Sequence, residues 1–219
     1  MKKLVIFGIG DIASLAHYYF TNDSEYQVVA FTVDEEYLDN QIFEEKPVIP
    51  FETLHNIYPP AEYELFIALS YSNLNQIRKD KYELGVKKGY QLASYISTKA
   101  TVLTSEIGSN CFILEDNTIQ PFVVIGNNVT LWSGNHIGHH STIKDHVFIS
   151  SHVVISGGVE IDEQCFLGVN STIRDHIRIG FKSVIGAGAL ILKSCEEESV
   201  YVGARTEKSK LLSSQIRKI

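Results

Sequence analysis

The 219-residue chain lacks the features that mark several large classes of protein. Its three cysteines are too few for a disulfide scaffold and fit a reducing compartment. No stretch approaches about 18 uninterrupted apolar residues, which argues against a membrane-spanning helix. The apolar run Leu4–Phe7 ends at Gly8 and is too short for the core of a signal peptide. We therefore expect a cytoplasmic protein that does not associate with membranes.

Positive charge is also scarce, because 19 lysines and arginines stand against 26 aspartates and glutamates, for a net charge of −7. A nucleic-acid-binding protein usually carries a basic face, so this balance disfavours nucleic acid as a partner. The balance reverses at the end of the sequence, where residues 203–219 hold five basic residues and one acidic residue. This tail is either a solvated terminal helix or a contact for an anionic ligand.

A six-residue repeat fills the second half of the chain. An aliphatic residue recurs at every sixth position from Ile107 to Ile191, fifteen times without an insertion. The residue two positions earlier is small or β-branched at nearly every step, as at Cys111 and Cys165. A glycine often follows the aliphatic residue, as at Gly138. Such a repeat decides the fold before any local pattern does.

A period of six fits neither an α-helix nor a long strand of simple alternation. It predicts short strands joined by a turn at every sixth residue, so that three repeats close one triangular coil and about 4.7 coils stack as a solenoid. We expect the aliphatic and small residues to point inward and the glycine to help the chain turn. Cys111 and Cys165 then stack about 14 Å apart as buried core residues, beyond the reach of a disulfide.

The first half alternates between strand and helix patterns, which implies a parallel sheet. The predicted elements are a strand at Lys3–Phe7, a helix ending near Phe20, strands at Val28–Val33 and Glu64–Leu69, a helix at Asn73–Leu84 and a strand at Leu92–Ile96. Gly8 and Gly10 follow the first strand and would place a helix N-terminus beside a phosphate. Asp34 follows the second strand, where an acidic residue can accept hydrogen bonds from a ribose or a base. About 96 residues make one mononucleotide-binding half, so an NAD-dependent enzyme is not expected.

The repeat pattern [LIV]-G-x-x-[STAV]-x resembles that of the hexapeptide-repeat acyltransferases, whose fold is a left-handed parallel β-helix and whose working unit is a trimer. A small α/β domain before such repeats resembles the acetyltransferases of amino sugars in bacterial surface glycans, including the bacillosamine-pathway N-acetyltransferases and the sialic-acid O-acetyltransferases. The resemblance covers nearly the whole chain. It implies a Rossmann-like nucleotide-sugar-binding half domain over residues 1–96, a β-helix acyltransferase domain over 97–194 and a C-terminal cap or tail over 195–219.

The same resemblance implies a histidine as general base. The segment from Gly138 to Ser141 aligns with one that often has an acid-His-acid sequence in relatives, so His139 takes the place of their base. Gly138 and His140 stand where carboxylates often lie, which leaves open what orients the imidazole of His139. The candidate catalytic residues are His139 and His140. Positioning of the substrates alone is the alternative to base catalysis. We expect no metal site, because the neighbouring histidines occupy different points around one turn.

Small residues at the corners of the coil suggest a groove for acetyl-CoA, because they allow close approach of the pantetheine arm, although tight turns also favour small residues. The candidates for contacting the coenzyme are Ser151, Gly157, Val169, Ala187, Gly203 and Lys208. The candidates for contacting a nucleotide sugar are Gly8, Gly10, Asp11, Asp34, Asn73 and Trp132. Trp132 could stack on the sugar or could equally lie in a subunit contact.

The function that the resemblance implies is acetyl-CoA-dependent N-acetylation of a nucleotide-linked amino-deoxy sugar, a 4-amino-4,6-dideoxyhexose, for bacterial surface glycans such as the O-antigen of lipopolysaccharide. The alternatives are a sugar O-acetyltransferase of the sialic-acid type and a non-catalytic trimeric scaffold. The nucleotide, whether it carries uracil, thymine, guanine or cytosine, stays open.

A homotrimer needs an apolar contact surface, and the residues that precede the inward aliphatic positions form three outward columns. One column is charged and is expected to face water, and a second is mixed. The third presents three aromatic residues and a valine, an apolar strip too large to leave solvated: it comprises Phe112, Thr130, Phe148, Phe166 and Val184. We therefore predict that this third column packs against a neighbouring subunit around a threefold axis.

Overall fold

The computed structural model describes residues 1–215, and the basic residues Arg217 and Lys218 of the tail lie outside the described residues. The N-terminal part is a five-stranded sheet with two α-helices. Its elements are β1 (Lys2–Phe7), α1 (Asp11–Asn22), β2 (Tyr26–Val33), β3 (Ile42–Phe43), β4 (Lys46–Pro50), β5 (Glu64–Ile67) and α2 (Gln76–Lys87). The strand order is β3-β4-β2-β1-β5, with all pairs parallel except β3 and β4. The alternation of strands and helices predicted a parallel sheet, and this is confirmed.

Two predicted boundaries in this part were wrong. The second helix begins at Gln76 rather than Asn73, because three successive residues before it have left-handed φ values of 49°, 49° and 64° and cannot belong to a right-handed helix. The predicted strand Leu92–Ile96 is divided: Leu92 makes a bridge with Leu65, whereas Tyr95–Ile96 pairs with a strand of the repeat region. The β3–β4 hairpin had no sequence prediction.

The repeat region consists of two-residue strands stacked in three parallel sheets, which fits a left-handed parallel β-helix. The first sheet, here the covered sheet, contains Tyr95–Ile96, Phe112–Ile113, Thr130–Leu131, Phe148–Ile149, Phe166–Leu167, Val184–Ile185 and Val200–Tyr201. The second, the open sheet, contains Thr101–Val102, Thr118–Ile119, His136–Ile137, Val154–Ile155, Thr172–Ile173 and Leu190–Ile191. The third, the charged sheet, contains Val124–Ile125, Thr142–Ile143, Glu160–Ile161 and Arg178–Ile179.

The core of this region is the predicted ladder. Aliphatic residues from Ile113 to Ile185 are buried at every sixth position, together with the small residues two positions before most of them. Cys111 and Cys165 are both fully buried and free, as predicted. Burial raises the pKa of the Cys165 thiol to about 12, which keeps it protonated and unreactive.

The turn residue differs from the one expected. Every sixth residue from Asn110 to Gly188 has a positive φ, and none of the glycines that directly follow the aliphatic residue does. Those glycines serve close approach instead: a Cβ at Gly138 would lie 2.5 Å from the backbone carbon of Ser156 in the next coil, and one at Gly168 would lie 2.6 Å from the amide nitrogen of Ala187. The expectation that they turn the chain was therefore wrong, because the left-handed conformation lies two residues later.

The aromatic column lies under the N-terminal part of the same chain. Phe112 and Phe148 are each 2% exposed. The ring of Tyr71, from the loop after β5, lies 5.0 Å from Phe148 and 4.9 Å from Phe166, and the ring of Tyr95 lies 5.6 Å from Phe112. The centre of this column, from Phe112 to Phe148, is therefore unavailable to a neighbouring subunit, and the predicted trimer contact centred on Phe148 was wrong. The apolar strip is buried as expected, but by residues of its own chain rather than by a second subunit.

Helix α2 is fastened to the edge of the covered sheet by a buried arginine. Arg78 is 1% exposed, and its guanidinium donates hydrogen bonds to the carbonyl of Asn128 at 2.7 Å and the hydroxyl of Thr130 at 2.8 Å. It also donates to the carbonyl of His146 at 3.2 Å. Burial lowers the pKa of Arg78 to about 9, so the group stays charged at neutral pH. Hydrogen bonds from its two terminal nitrogens replace those of water, whereas Nε has no partner among the described residues.

Candidate functional site

A cavity of about 360 Å³ opens at the carboxyl end of the N-terminal sheet, lined in part by Gly8, Asp34 and Leu69. Gly8 directly follows β1, which lies between β2 and β5 in the sheet. Its φ is 118°, and a Cβ at this position would lie 2.9 Å from the carbonyl oxygen of Ala68. Only glycine fits this crossing without strain. Asp34 receives a hydrogen bond of 2.7 Å from Lys81 of α2, so this cavity has a paired carboxylate and ammonium at its wall.

A second cavity, of about 560 Å³, lies at the N-terminus of α1. Gly10 precedes the helix and provides no side-chain cap, and Asp11 is exposed in its first turn. The first amide groups of a helix have no intrahelical acceptor, so this end of α1 suits an anion such as a phosphate. Tyr71 and Trp132 close the far side of the cavity.

A third cavity, of about 220 Å³, adjoins the second on the surface of the β-helix. The two share Ile12, Tyr71 and Trp132 as lining residues. The rest of the third cavity is lined by Phe148, Ser150, Ser151 and Val169. The first and second cavities share Leu69. The three cavities therefore follow one another from Asp34, past the start of α1, to the corner between the covered and open sheets.

This corner carries four of the six coenzyme candidates. Ser151, Val169 and Ala187 stack on it in successive coils, and a Cβ at Gly203 would collide with the carbonyl oxygen of Ala187. Gly203 therefore packs directly on the groove-forming chain. Lys208 is exposed in the irregular tail.

His139 lies on a different corner, between the open and charged sheets, and it is not among the residues that line the three cavities. Its backbone N–H donates to Oε1 of Gln120 at 2.9 Å, and its carbonyl accepts from the N–H of Gly158 at 2.8 Å. Its ring lies against Gly157, where a Cβ would be 2.6 Å from Cε1. Gly157, predicted to contact the coenzyme, is thus also the residue that makes room for the imidazole.

Of the remaining candidates for contacting the nucleotide sugar, one lines the cavities and one does not. Trp132 is half-buried, 6.4 Å from the ring of Phe148, and faces the second and third cavities. Asn73 is exposed in the left-handed turn before α2 and does not line these cavities. Lys81 and Tyr71 were missed in the sequence, because a lysine on a polar helix and a tyrosine in a loop have no local signal of the long-range contacts that bring them to the site.

Within residues 1–215, no group of three histidine, cysteine, aspartate or glutamate side chains is arranged to hold a metal ion. Neither α-helix in that range has the length and apolar character needed to cross a bilayer.

The model of the bacterial transferase hexapeptide family (six repeats) matches residues 104–139 and 122–157. The chain carries hexapeptide repeats. No curated protein matches its sequence significantly. Among solved structures, a histidine-to-asparagine mutant of perosamine N-acetyltransferase from Caulobacter crescentus, in complex with CoA and GDP-perosamine, is similar with a TM-score of 0.81. It is 19% identical, and the match covers 93% of this chain and 94% of that one.

Two further structures share this architecture. WeeI from Acinetobacter baumannii AYE has a TM-score of 0.75 and 22% identity, over 93% of this chain and 97% of that one. The acetyltransferase domain of PglB from Neisseria gonorrhoeae FA1090, in complex with acetyl coenzyme A, has a TM-score of 0.58 and 20% identity, over 92% and 96% of the chains. At these identities the likeness shows that the hexapeptide-repeat chain shares their fold from the N-terminal α/β part to the end of the β-helix.

Proposed function

We propose that this hexapeptide-repeat protein is an acetyl-CoA-dependent N-acetyltransferase acting on the amino group of a nucleotide-linked amino sugar. The observation that carries the proposal is the succession of cavities from Asp34 to Val169, which joins a pocket at the carboxyl end of the sheet to a groove on the β-helix. Two structures with this fold support it: the perosamine N-acetyltransferase mutant is in complex with CoA and GDP-perosamine, and the PglB acetyltransferase domain is in complex with acetyl coenzyme A. The finer proposal is a 4-amino-4,6-dideoxyhexose destined for bacterial surface glycans such as O-antigen.

The N-terminal part, in this proposal, is a Rossmann-like half domain that holds the nucleotide. Gly8 and Asp34 line the pocket for the base and ribose, and the N-terminus of α1, with Gly10 and Asp11, receives the diphosphate. The sugar then lies beside Trp132. We place the division between this domain and the acyltransferase β-helix just before Tyr95, because Tyr95–Ile96 already belongs to the covered sheet. Of the proposed C-terminal cap and tail, the described residues 195–215 contribute Val200–Tyr201 as a last strand of that sheet.

A homotrimer completes the site in this proposal. Within one chain, His139 and the groove with Ser151 and Val169 lie at opposite ends of the strands of the open sheet, too far apart to share a substrate. In the proposed trimer, His139 of one subunit therefore faces the groove of the next. The open sheet is the face we propose for the contact, since Val154 and Leu190 are 41% and 63% exposed there. Sedimentation of the wild type and of Val154→Asp tests this: a trimer that becomes a monomer supports it, and a wild-type monomer contradicts it.

The chemistry is attack of a neutral amine on the thioester carbonyl. The C–N bond forms as the carbonyl π pair moves to oxygen, His139 accepts a proton from the attacking nitrogen, and the C–S bond then breaks so that the sulfur leaves as CoA and takes up that proton. Backbone N–H groups along the glycine-rich corner are the donors available to the oxyanion. Acetyl-CoA is a co-substrate here, and no metal takes part in the proposed step.

The decisive experiment measures release of CoA thiol from acetyl-CoA with a panel of amino sugars linked to UDP, dTDP, GDP and CMP, together with hydroxyl sugars such as sialic acid. We expect turnover with at least one nucleotide-linked amino sugar, and a loss of about 10²- to 10⁴-fold in kcat for His139→Asn with little change in acetyl-CoA affinity. Turnover of hydroxyl sugars alone would make it an O-acetyltransferase. Absence of acetyl-CoA binding by calorimetry would make it a scaffold.

A further inference from the structure

We propose that His140 is a positioning residue that sets the tautomer of His139, in the place where the resemblance puts a carboxylate. The observation is a contact of 3.0 Å between Nδ1 of His139 and Nδ1 of His140, with the two rings at 86° to each other. At this distance one nitrogen carries a hydrogen and the other accepts it. This inference rests on the proposed role of His139 as base.

The direction of that hydrogen bond decides whether His139 can act. If Nδ1–H of His139 donates to Nδ1 of His140, then Nε2 of His139 keeps a free lone pair and can take the proton of the attacking amine. If His140 donates instead, Nε2 of His139 carries a hydrogen and has no lone pair for the reaction. In the proposed pair, Nδ1 of His140 is the acceptor and the hydrogen of His140 lies on its Nε2.

The surroundings hold both rings in this arrangement. His140 has a φ of 58°, the left-handed position of its coil, and the ring of Phe122 from the preceding coil lies 4.7 Å away. His139 is fixed through its backbone by Gln120 and Gly158, and its ring rests on Gly157. Each imidazole therefore has a packing partner of its own, and the Nδ1 contact joins two groups that are already oriented.

During the reaction only His139 takes up and releases a proton, and His140 accepts a hydrogen bond from it throughout. Nε2 of His139 takes the proton from the amine as the C–N bond forms, which makes His139 an imidazolium whose Nδ1–H donates to His140. The same Nε2–H then protonates the departing sulfur of CoA. His140 neither gains nor loses a proton over the cycle, so its role is to hold the tautomer and to accept a hydrogen bond from the cation.

The test compares two variants of His140 with a matched control. His140→Gly removes the acceptor and tolerates the left-handed φ, whereas His140→Asn keeps an acceptor at the δ1 position and also tolerates that φ. The control is His176→Gly, because His176 is an exposed histidine with a φ of 54° on the same corner, two coils further on. All are assayed by thiol release, with kcat and KM for acetyl-CoA measured separately and circular dichroism as a check of folding.

We expect His140→Gly to lower kcat by about 10- to 100-fold with KM for acetyl-CoA within about twofold. We expect His140→Asn to restore kcat to within about threefold of wild type, and His176→Gly to match wild type. Wild-type kcat in a folded His140→Gly, or a folded His140→Asn as slow as His140→Gly, would overturn the inference. Failure of the proposed function is distinguishable, because the wild type itself would then release no thiol from acetyl-CoA. Failure of the proposed base alone would leave an active wild type and an equally active His139→Asn.

Discussion

The covered and open sheets of the β-helix are built from the same repeat and differ in what lies outside them. Both present an inward ladder of buried aliphatic residues, such as Ile149 in the covered sheet and Ile155 in the open sheet. Outward, Phe148 of the covered sheet is buried by the N-terminal part, whereas Val154 of the open sheet stays 41% exposed. An apolar column on a repeat protein therefore predicts that another element packs on it, but not whether that element belongs to the same chain or to a second subunit.

The charged sheet gives a third solution, in which side chains cover one another. Lys144 contacts Glu160 at 2.6 Å and Asp162 at 2.7 Å, and Arg178 contacts Asp162 from the next coil. Burial raises the pKa of Asp162, but the hydrogen bonds from Lys144 and Arg178 outweigh it and leave that pKa below its usual range. The outward side chains of this sheet thus form ion pairs with one another across successive coils.

We expect the largest difference in unfolding free energy between the variants Phe148→Ala and Val154→Ala. Removing the buried ring leaves a cavity between Tyr71 and the covered sheet and should cost about 3–5 kcal/mol of unfolding free energy. Val154→Ala removes two methyl groups from a side chain that is 41% exposed within one chain, so it should cost only about 1 kcal/mol even with the proposed trimer contact formed. Urea unfolding of both variants and the wild type at one protein concentration measures the contrast, and equal losses would show that the two sheets are covered alike.

The second effect concerns the polar edge of the covered sheet. His146 is 5% exposed, its Nδ1 lies 2.9 Å from Nδ2 of Asn128, and burial, with a smaller contribution from Lys79 and Arg78, lowers its pKa to about 4. In the unfolded chain His146 takes up a proton near pH 6.5, whereas in the folded chain it does so only near pH 4. The free energy of unfolding therefore falls as the pH falls from about 6.5 to 4.

From pH 7.5 to pH 5.0, this group alone should reduce the unfolding free energy by about 2 kcal/mol. In His146→Asn that loss should disappear, because an amide accepts the hydrogen bond of Asn128 and tolerates the φ of 64° at this position. The measurement is the difference between wild type and variant at the two pH values. An identical pH dependence in both would mean that His146 is solvated and that this edge of α2 is open.

The smallest effect is expected on the charged sheet. Lys144→Met removes two ion-pair contacts from a side chain that is 38% exposed, and Arg178 still contacts Asp162. The loss should stay below about 1 kcal/mol and should shrink further at high salt, because water and ions screen such pairs. A loss above about 3 kcal/mol in the same unfolding assay would show that this sheet depends on Lys144 as the covered sheet depends on Phe148.

How far the sequence predicts the structure differs between the two parts of the chain. The hexapeptide period places each inward residue of the β-helix, from Ile113 to Ile185, because a repeat of fixed length leaves one register. In the N-terminal part, β1, β2 and β5 were predictable from apolar runs, whereas the β3–β4 hairpin was not. The start of α2 was not, because the left-handed turn at Asn73 is held by the neighbouring Asn75, whose side chain donates to the carbonyls of Gln164 and Cys165.

The candidate site shows the same division. Gly8, Asp34 and Val169 could be named from motif and register, since backbone geometry and coil position bring them to the cavities. Tyr71 and Lys81 could not be named, because each reaches the site through a contact with a residue 47 or more positions away in the chain. Local patterns do not encode such distances.

The sequence by itself determined the stacked coils, the inward ladder and the end of β1 at Gly8, because period and glycine geometry act over a few residues. Contacts between distant parts of the chain put the aromatic column under the chain's own N-terminal part, through Tyr71 of the loop after β5. They also place His139 and the Val169 groove at opposite ends of the strands of the open sheet. The physical reason is that apolar burial has no direction: Phe148 gains as much from Tyr71 as from a second subunit, and only the path of the chain selects between them.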